Sequence, residues 1–217
     1  MNTDRSQPAF RGVTSSAKET PPADPALVER KAVLRRQLRA LLSGMPAVER
    51  EGESSSIREV IGSQSVWRHA RCILGFVPLP SEPDLWALFQ ERVRAGGLCC
   101  VPRWNVVEQD YEAARLPSEG GLSPGPYGVL EPDESLPVMP WERLDLILVP
   151  GLGFDRRGWR LGRGRGHFDR LLRRVIQTSR WGIAFDRQIV EQVPIEPHDV
   201  NVNFLVTPRL GLMATEP

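Results

Sequence analysis

Long apolar runs are missing from this chain of 217 residues. No stretch approaches the ~20 residues that cross a bilayer, and the N-terminus has no apolar core of the signal-peptide type. Cysteine is scarce, with only Cys72, Cys99 and Cys100. An odd number without a CxxC pair or paired histidines argues against a disulfide framework and a zinc site. Each of the three lies in an apolar run, so buried, reduced thiols in a cytoplasmic protein are expected. Charge of one sign is also lacking. The 28 Lys+Arg and 27 Asp+Glu leave a formal net charge of +1, so no large field draws the chain to DNA or a membrane surface. There is no internal repeat. What remains fits one ordinary domain with a real core.

Residues 1–23 are polar, rich in Ser, Thr and Pro, and without period, and are expected to be a disordered extension. Asp4, Glu19 and Asp24 speak against a mitochondrial-type targeting segment, which would be poor in acids. From Asp24 the pattern turns helical. Asp24 suits a cap and Pro25 a first turn, and Leu27, Leu34, Leu38 and Leu41 form an apolar stripe. Lys31 falls on that stripe and Arg35 lies one turn beyond it. A lysine in this place either snorkels at the edge of the core or meets an anion.

Downstream, short apolar runs alternate with helical patterns. Residues 72–77, 98–102, 144–150, 181–185 and 203–208 read as strands, and 84–97 and 168–176 as helices. The Pro/Gly-rich stretch 105–140 reads as loop with short extended pieces. Such alternation implies an α/β fold, a three-layer αβα sandwich on a mostly parallel, doubly wound sheet. A single domain is expected over residues 24–210, with a flexible tail over 211–217.

The densest signal is "PGLGFDRRGWRLGRGRGHFDR", where Gly162, Gly164 and Gly166 alternate with Arg163 and Arg165. It follows a strand, the edge at which open parallel sheets bind ligands. It precedes a helix whose N-terminus lies at or just after Gly166, an end that favours anions. Glycine lets backbone approach a ligand closely, and Arg160, Arg163 and Arg165 add charge. The stretch is suited to phosphate. It is not a Walker A loop, because Trp159 stands where lysine is needed. It is not a dinucleotide fingerprint, because the third glycine comes one residue early.

The longer string resembles the signature of the 5-formyltetrahydrofolate cyclo-ligase family: PGLAFD, then G-x-RLG, then GxGxGYYDR. The resemblance extends over about residues 28–208. It includes Lys31 and Arg35 as Lys-x-x-x-Arg, Glu82 in "FVPLPSEPDL", "YGVLEP" at 127–132, and "GIAFDRQIVEQVPIEPHDVNVNFLVTP" at the end. His167-Phe168 stands where the family has two tyrosines, and Arg165 where it often has Gly or Lys.

This resemblance implies an ATP-dependent ligase. The formyl oxygen of 5-formyltetrahydrofolate attacks the γ-phosphate, N10 attacks the activated carbon, and phosphate leaves as 5,10-methenyltetrahydrofolate forms. It implies ATP contacts at Lys31, Arg35 and residues 160–168, namely Arg160, Leu161, Gly162, Arg163, Gly164, Arg165, Gly166, His167 and Phe168. It implies folate contacts at Val77, Glu82 and residues 163–167, and Mg2+ at Asp169 and Asp199. Charge stabilisation falls to Lys31, Arg35, Arg160 and Arg165, with no covalent nucleophile. Asp169 would also suit a helix dipole, Asp199 a turn, and Glu82 a helix cap. The expectation is a cytoplasmic monomer that takes a reduced folate and ATP, and neither nucleic acid nor membrane. A folate- or nucleotide-binding protein without catalysis, and an RNA-binding protein using the arginine cluster, remain as alternatives.

Overall fold

The computed structural model describes residues 24–216, apart from Tyr127, Arg165, His198 and the side chain of His167. The expected disordered extension, 1–23, lies outside the described residues, as does Pro217. Helix α1 (Pro25–Ser43) starts as its sequence suggests, with the Asp24 carboxylate accepting the N–H of Ala26 at 3.0 Å and Pro25 in the first turn. Its buried stripe is Lys31, Leu38 and Leu42, whereas Leu41 is 44% exposed.

Two helices follow that the sequence pattern had not disclosed, α2 (Ala47–Ser63) and α3 (Ser65–His69). Segment 47–63 carries Gly52 and a run of three serines, so its apolar period is weak. Only Ser54, Ile57 and Ile61 are buried there, and Ser54 hides its hydroxyl by donating to the Arg50 carbonyl at 2.7 Å.

Among the described residues the main sheet has eight strands. At its centre lie β1 (Cys72–Leu74), β2 (Leu98–Asn105), β7 (Leu146–Pro150), β10 (Ser179–Ile183) and β12 (Phe204–Thr207), all parallel. Helix α4 (Trp86–Arg94) joins β1 to β2. The stretch 105–140, expected as loop with short extended pieces, holds four short strands beside the end of β2. β2 runs on to Asn105 and pairs antiparallel with β3 (Asp110–Arg115), which pairs with β6 (Val138–Met139). A separate ribbon joins β4 (Leu122–Pro124) to β5 (Leu130–Pro132). Charged residues on β3 mask the strand pattern, while Ala113 and Ala114 are buried. At the other edge, part of the expected tail is strand β13 (Gly211–Ala214), antiparallel to β12. Leu212 and Met213 anchor it by packing against opposite faces of the sheet.

Helices α1–α4 cover one face, where Leu38, Ile57, Trp67 and Phe89 pack on Ile73, Leu148 and Trp181. Helix α5 (His167–Arg174) covers the other, where Leu171, Leu172 and Val175 pack on Ile147, Val149 and Leu205. This is the three-layer α/β architecture with a mostly parallel sheet. Strands are added outward in both directions from the neighbours β1 and β7. Their carboxyl ends therefore flank the crevice where such sheets hold ligands.

Candidate active site

A cavity of about 360 Å3 opens at that crevice. Phe76, Val77 and Leu79 line it from the chain leaving β1, and Pro150 and Gly151 from the end of β7. Arg160, Gly162, Arg163, Gly166, Phe168 and Asp169 complete the side formed by the glycine-arginine loop. Between β7 and α5, β8 (Gly153–Asp155) pairs with β9 (Arg160–Leu161), and β11 (Ile189–Val190), from beyond β10, pairs with β8 to give a small ribbon that fixes the loop's base. Leu161 is buried, and its carbonyl accepts the N–H of Leu152 at 2.8 Å.

The loop's glycines differ in what they require. Gly164 has φ 108 and Gly166, the N-cap of α5, has φ 66, both positive. A Cβ on either would meet no close obstacle, so the backbone angle is what demands glycine there. The acidic Asp169 occupies the first turn of α5. The positions of Arg165 and of the His167 side chain, both expected to touch nucleotide, lie outside the described residues.

Arg160 is 8% exposed and faces the cavity. It donates to the Pro150 carbonyl at 3.2 Å and to Asp169 Oδ1 at 2.5 Å, and its guanidinium lies 5.4 Å from the centre of the Phe168 ring. Its Nε is buried without a hydrogen-bond partner among the described residues. A buried donor left in this way is costly.

Helix α1 braces the loop from the far side. Arg35 Nε donates to the Gly162 carbonyl at 3.0 Å, and Arg39 Nη2 to the Arg163 carbonyl at 3.0 Å. Burial and then the Arg39 charge lower the Arg35 pKa, while Glu196, Asp169 and Asp199 oppose them. Lys31 is 7% exposed and ion-paired to Glu196 Oε2 at 2.6 Å and Asp199 Oδ2 at 2.7 Å. The lysine on the leucine stripe thus has carboxylates as its anions. Lys31, Arg35 and Asp199 do not line the cavity itself; they form a charged cluster adjoining it through Gly162.

Glu82 and Arg163 meet across the cavity mouth. Arg163 Nε and Nη2 donate to Glu82 Oε1 at 3.0 and 2.9 Å, and Nη2 donates to Ser81 Oγ at 2.9 Å. Glu82 Oε2 accepts the N–H of Leu79 at 3.0 Å, so its role as a cap for the next helix is not realised. Asp169 and Asp199, the expected metal ligands, each pair with a cation. Among the described residues no group of three or more His, Cys, Asp or Glu side chains has the arrangement of a metal cage.

A family model described as the 5-formyltetrahydrofolate cyclo-ligase family matches residues 28–208. The chain belongs to this family. It is 32% identical over 194 residues to a 5-formyltetrahydrofolate cyclo-ligase of Mycolicibacterium smegmatis, covering 85% of this chain and 96% of that one. With the mouse protein of the same name it shares 28% over 184 residues, covering 80% and 91%. The solved structure of Aquifex aeolicus 5,10-methenyltetrahydrofolate synthetase superposes with a TM-score of 0.77 at 29% identity, covering 86% of this chain and 93% of that chain.

The candidate site also includes residues to which the sequence reading gave no role. Arg39 continues the Lys31–Arg35 spacing by one more turn, a signal that was available. Gln188 is fully buried. Its amide donates to the carbonyls of Gly151 and Leu152 at 2.8 and 3.2 Å, and its oxygen accepts the N–H of Phe185 at 2.7 Å. Asp155 is fully buried and accepts the N–H groups of Arg157, Trp159 and Val193 at 3.1 Å each. These two polar side chains hold the ends of the loop that carries Arg160. No helix among the described residues is long and apolar enough to cross a membrane.

Proposed function

We propose that the cavity is where this cyclo-ligase converts 5-formyltetrahydrofolate and ATP to 5,10-methenyltetrahydrofolate, ADP and phosphate, with the glycine-arginine loop on the nucleotide. One observation carries the placement: Arg160, a buried guanidinium, lines the cavity on the wall that continues into the αL cap of α5. A cationic donor and a helix N-terminus converging at a sheet's switch point suit an anionic phosphoryl group.

The formyl oxygen forms a bond to the γ-phosphorus as the bond from that phosphorus to the β-phosphate oxygen breaks. N10 then adds to the activated formyl carbon and loses its proton, and the carbon–oxygen bond breaks to release phosphate. Phosphoryl transfer of this kind rests on positioning and charge neutralisation rather than on a protein nucleophile. Arg160 and the backbone N–H groups of Gly162, Arg163, Gly164 and Gly166 serve the transferring group, and Lys31 and Arg35 supply positive charge from behind the loop. Val77, Glu82 and Arg163 contact the folate, Glu82 and Arg163 as the ion pair they form at the cavity mouth, and Leu161 fixes the loop's base. Arg165, His167 and Phe168 complete the nucleotide side.

Hard carboxylate oxygens beside a phosphate site fit a magnesium ion that arrives with ATP and keeps phosphate and water ligands, for which one or two protein carboxylates suffice. Asp169 and Asp199 would hold it, and it would neutralise phosphate charge. The protein acts as a cytoplasmic monomer. The test is the absorbance of methenyltetrahydrofolate during incubation with 5-formyltetrahydrofolate, ATP and magnesium. No product with all three present rejects the reading, and undiminished turnover in excess chelator rejects the metal.

A further inference from the structure

The cavity wall beyond the phosphate loop carries a carboxyl with no part in the steps above. Glu131, on β5, is 6% exposed and lines the cavity. Its Oε2 accepts the N–H of Trp104 at 2.9 Å. No described residue donates to Oε1. The carboxyl packs directly on the backbone of Gly125, where a Cβ would lie 2.4 Å from its carboxyl carbon. Burial pushes its pKa up, against the Trp104 N–H and the field of Arg103. The wall around it is apolar: Phe76, Pro102, Tyr111, Val129 and Leu130. Glu82, the other glutamate on that wall, already has both oxygens engaged.

A fixed acceptor in an apolar wall is unfavourable unless a ligand brings a donor. Flat apolar surroundings with one acceptor suit a heterocycle that has an N–H on its rim. Two ligands of the reaction fit that description, the pterin and the adenine. The topology separates them. Glu131 is tied to β2, and β7, whose end carries the phosphate loop, lies two strands away across β1. The chain with Val77 and Glu82 lies between.

We propose that Glu131 is a substrate-contacting specificity residue whose Oε1 accepts a hydrogen bond from the amino N–H of the reduced pterin ring. The inference rests on the cyclo-ligase reading. Both oxygens then act as acceptors, one for Trp104 and one for substrate, a pairing that a carboxylate satisfies. An amide offers one acceptor and one donor, so Glu131→Gln loses one of the two bonds.

The test is steady-state kinetics of the full chain and of Glu131→Ala and Glu131→Gln, with circular dichroism on each. Expected is a rise of about 10- to 100-fold in KM for 5-formyltetrahydrofolate, the scale of one hydrogen bond to a charged group, with KM for ATP within about twofold. A folate analogue with methyl in place of the ring amino group, used as a competitive inhibitor, should bind the wild type and Glu131→Gln equally. A merely structural role would weaken analogue and substrate alike. A shift in KM for ATP alone, an unchanged folate KM in a folded variant, or equal losses for analogue and substrate overturns the proposal. If Glu131→Ala does not fold, Glu131→Gln decides. A wild-type protein that forms no product rejects the reading beneath; active wild type with unaffected variants rejects only this inference.

Discussion

Lys31 Nζ lies between two carboxylates, 2.6 Å from Glu196 Oε2 and 2.7 Å from Asp199 Oδ2. Asp199 Oδ2 also accepts the Glu196 N–H at 2.8 Å. A cation on the first helix thereby anchors the turn that precedes the last parallel strand, and sets both beside Arg35 and the Gly162 carbonyl. Phosphate is not the lysine's only possible anion, so its burial does not have to wait for a ligand.

Lys31→Met should therefore destabilise the protein even without nucleotide. Read from the leucine stripe alone, the same change would be neutral or stabilising, since it removes a polar group from an apolar face. The ion pairs reverse the sign, because two facing carboxylates would lose the Lys31 ammonium. Losing one partner of a largely buried pair costs about 3–5 kcal/mol; the Glu196 side chain is 19% exposed, which places the loss nearer 2 kcal/mol after screening. Urea unfolding at pH 7 measures it. Unchanged stability at pH 7 would mean that the pairs are solvated contacts without energetic weight.

Gln188→Leu removes three hydrogen bonds at once and leaves the Phe185 N–H and the carbonyls of Gly151 and Leu152 buried without that partner. Each such group costs about 1–3 kcal/mol, and some relaxation is available, so a loss of about 2–4 kcal/mol is expected. Gly151 lines the cavity, so turnover should also fall, with kcat dropping more than KM rises. A variant with wild-type melting temperature would show that the amide is dispensable.

Gly164→Ala should damage turnover more than Arg163→Ala. At φ 108 an alanine is strained whatever space surrounds it, and Arg35 stands 3.6 Å from the new methyl, an ordinary contact. A backbone held in such a region costs about 1–3 kcal/mol, and relief would turn the loop's N–H groups from the phosphate. Arg163 is one charge among several, and its partner Glu82 keeps the Leu79 N–H. The comparison is kcat/KM for ATP in both variants, with circular dichroism to establish folding. Equal losses would place the phosphate contacts outside residues 162–166.

The thiols should be silent in the native protein. Burial pushes the Cys99 thiol up to about 12, and Cys72 and Cys100, 3.8 Å apart, are 1% and 0% exposed. At pH 8 an aromatic disulfide reagent should release no colour from folded protein, and three equivalents in denaturant, one for each cysteine of the sequence. Rapid release from native protein would place a thiol at the surface.

Much of the site was legible because its chemistry is local in the chain. Glycines, arginines and the capped α5 fall within one stretch, and Lys31 and Arg35 fall on one helical face. Membership in the family followed from the same string. What stayed hidden depends on distant partners. Nothing near Lys31 in sequence announces Glu196 or Asp199, more than 160 residues away. Glu131 lies in a Pro/Gly-rich segment that reads as loop, and becomes a wall only when the Trp104 N–H on β2 holds it. The α2 helix escaped notice because its buried face is serine and two isoleucines rather than a leucine stripe. Strand β13 escaped because an edge strand needs pairing on one side only, and four residues carry little period.

Glu131→Gln should make the protein more stable at neutral pH while weakening its grip on folate. Burial raises the Glu131 pKa from its ordinary value. The folded state therefore holds its proton to higher pH than the unfolded chain does, and folding stability falls as pH climbs from the unfolded value through the folded one. Below both, the neutral acid carries no penalty; above both, the penalty is complete. Glutamine never ionises, and its oxygen still accepts the Trp104 N–H, so the variant escapes the loss. Thermal melts of both proteins from pH 4 to pH 8 should start together at the acid end and separate toward pH 8, with Glu131→Gln the higher. Parallel curves would mean that the carboxylate is as well solvated in the fold as in the unfolded chain. A variant that melts lower at pH 8 would mean that the ionised form makes a stabilising contact within the protein.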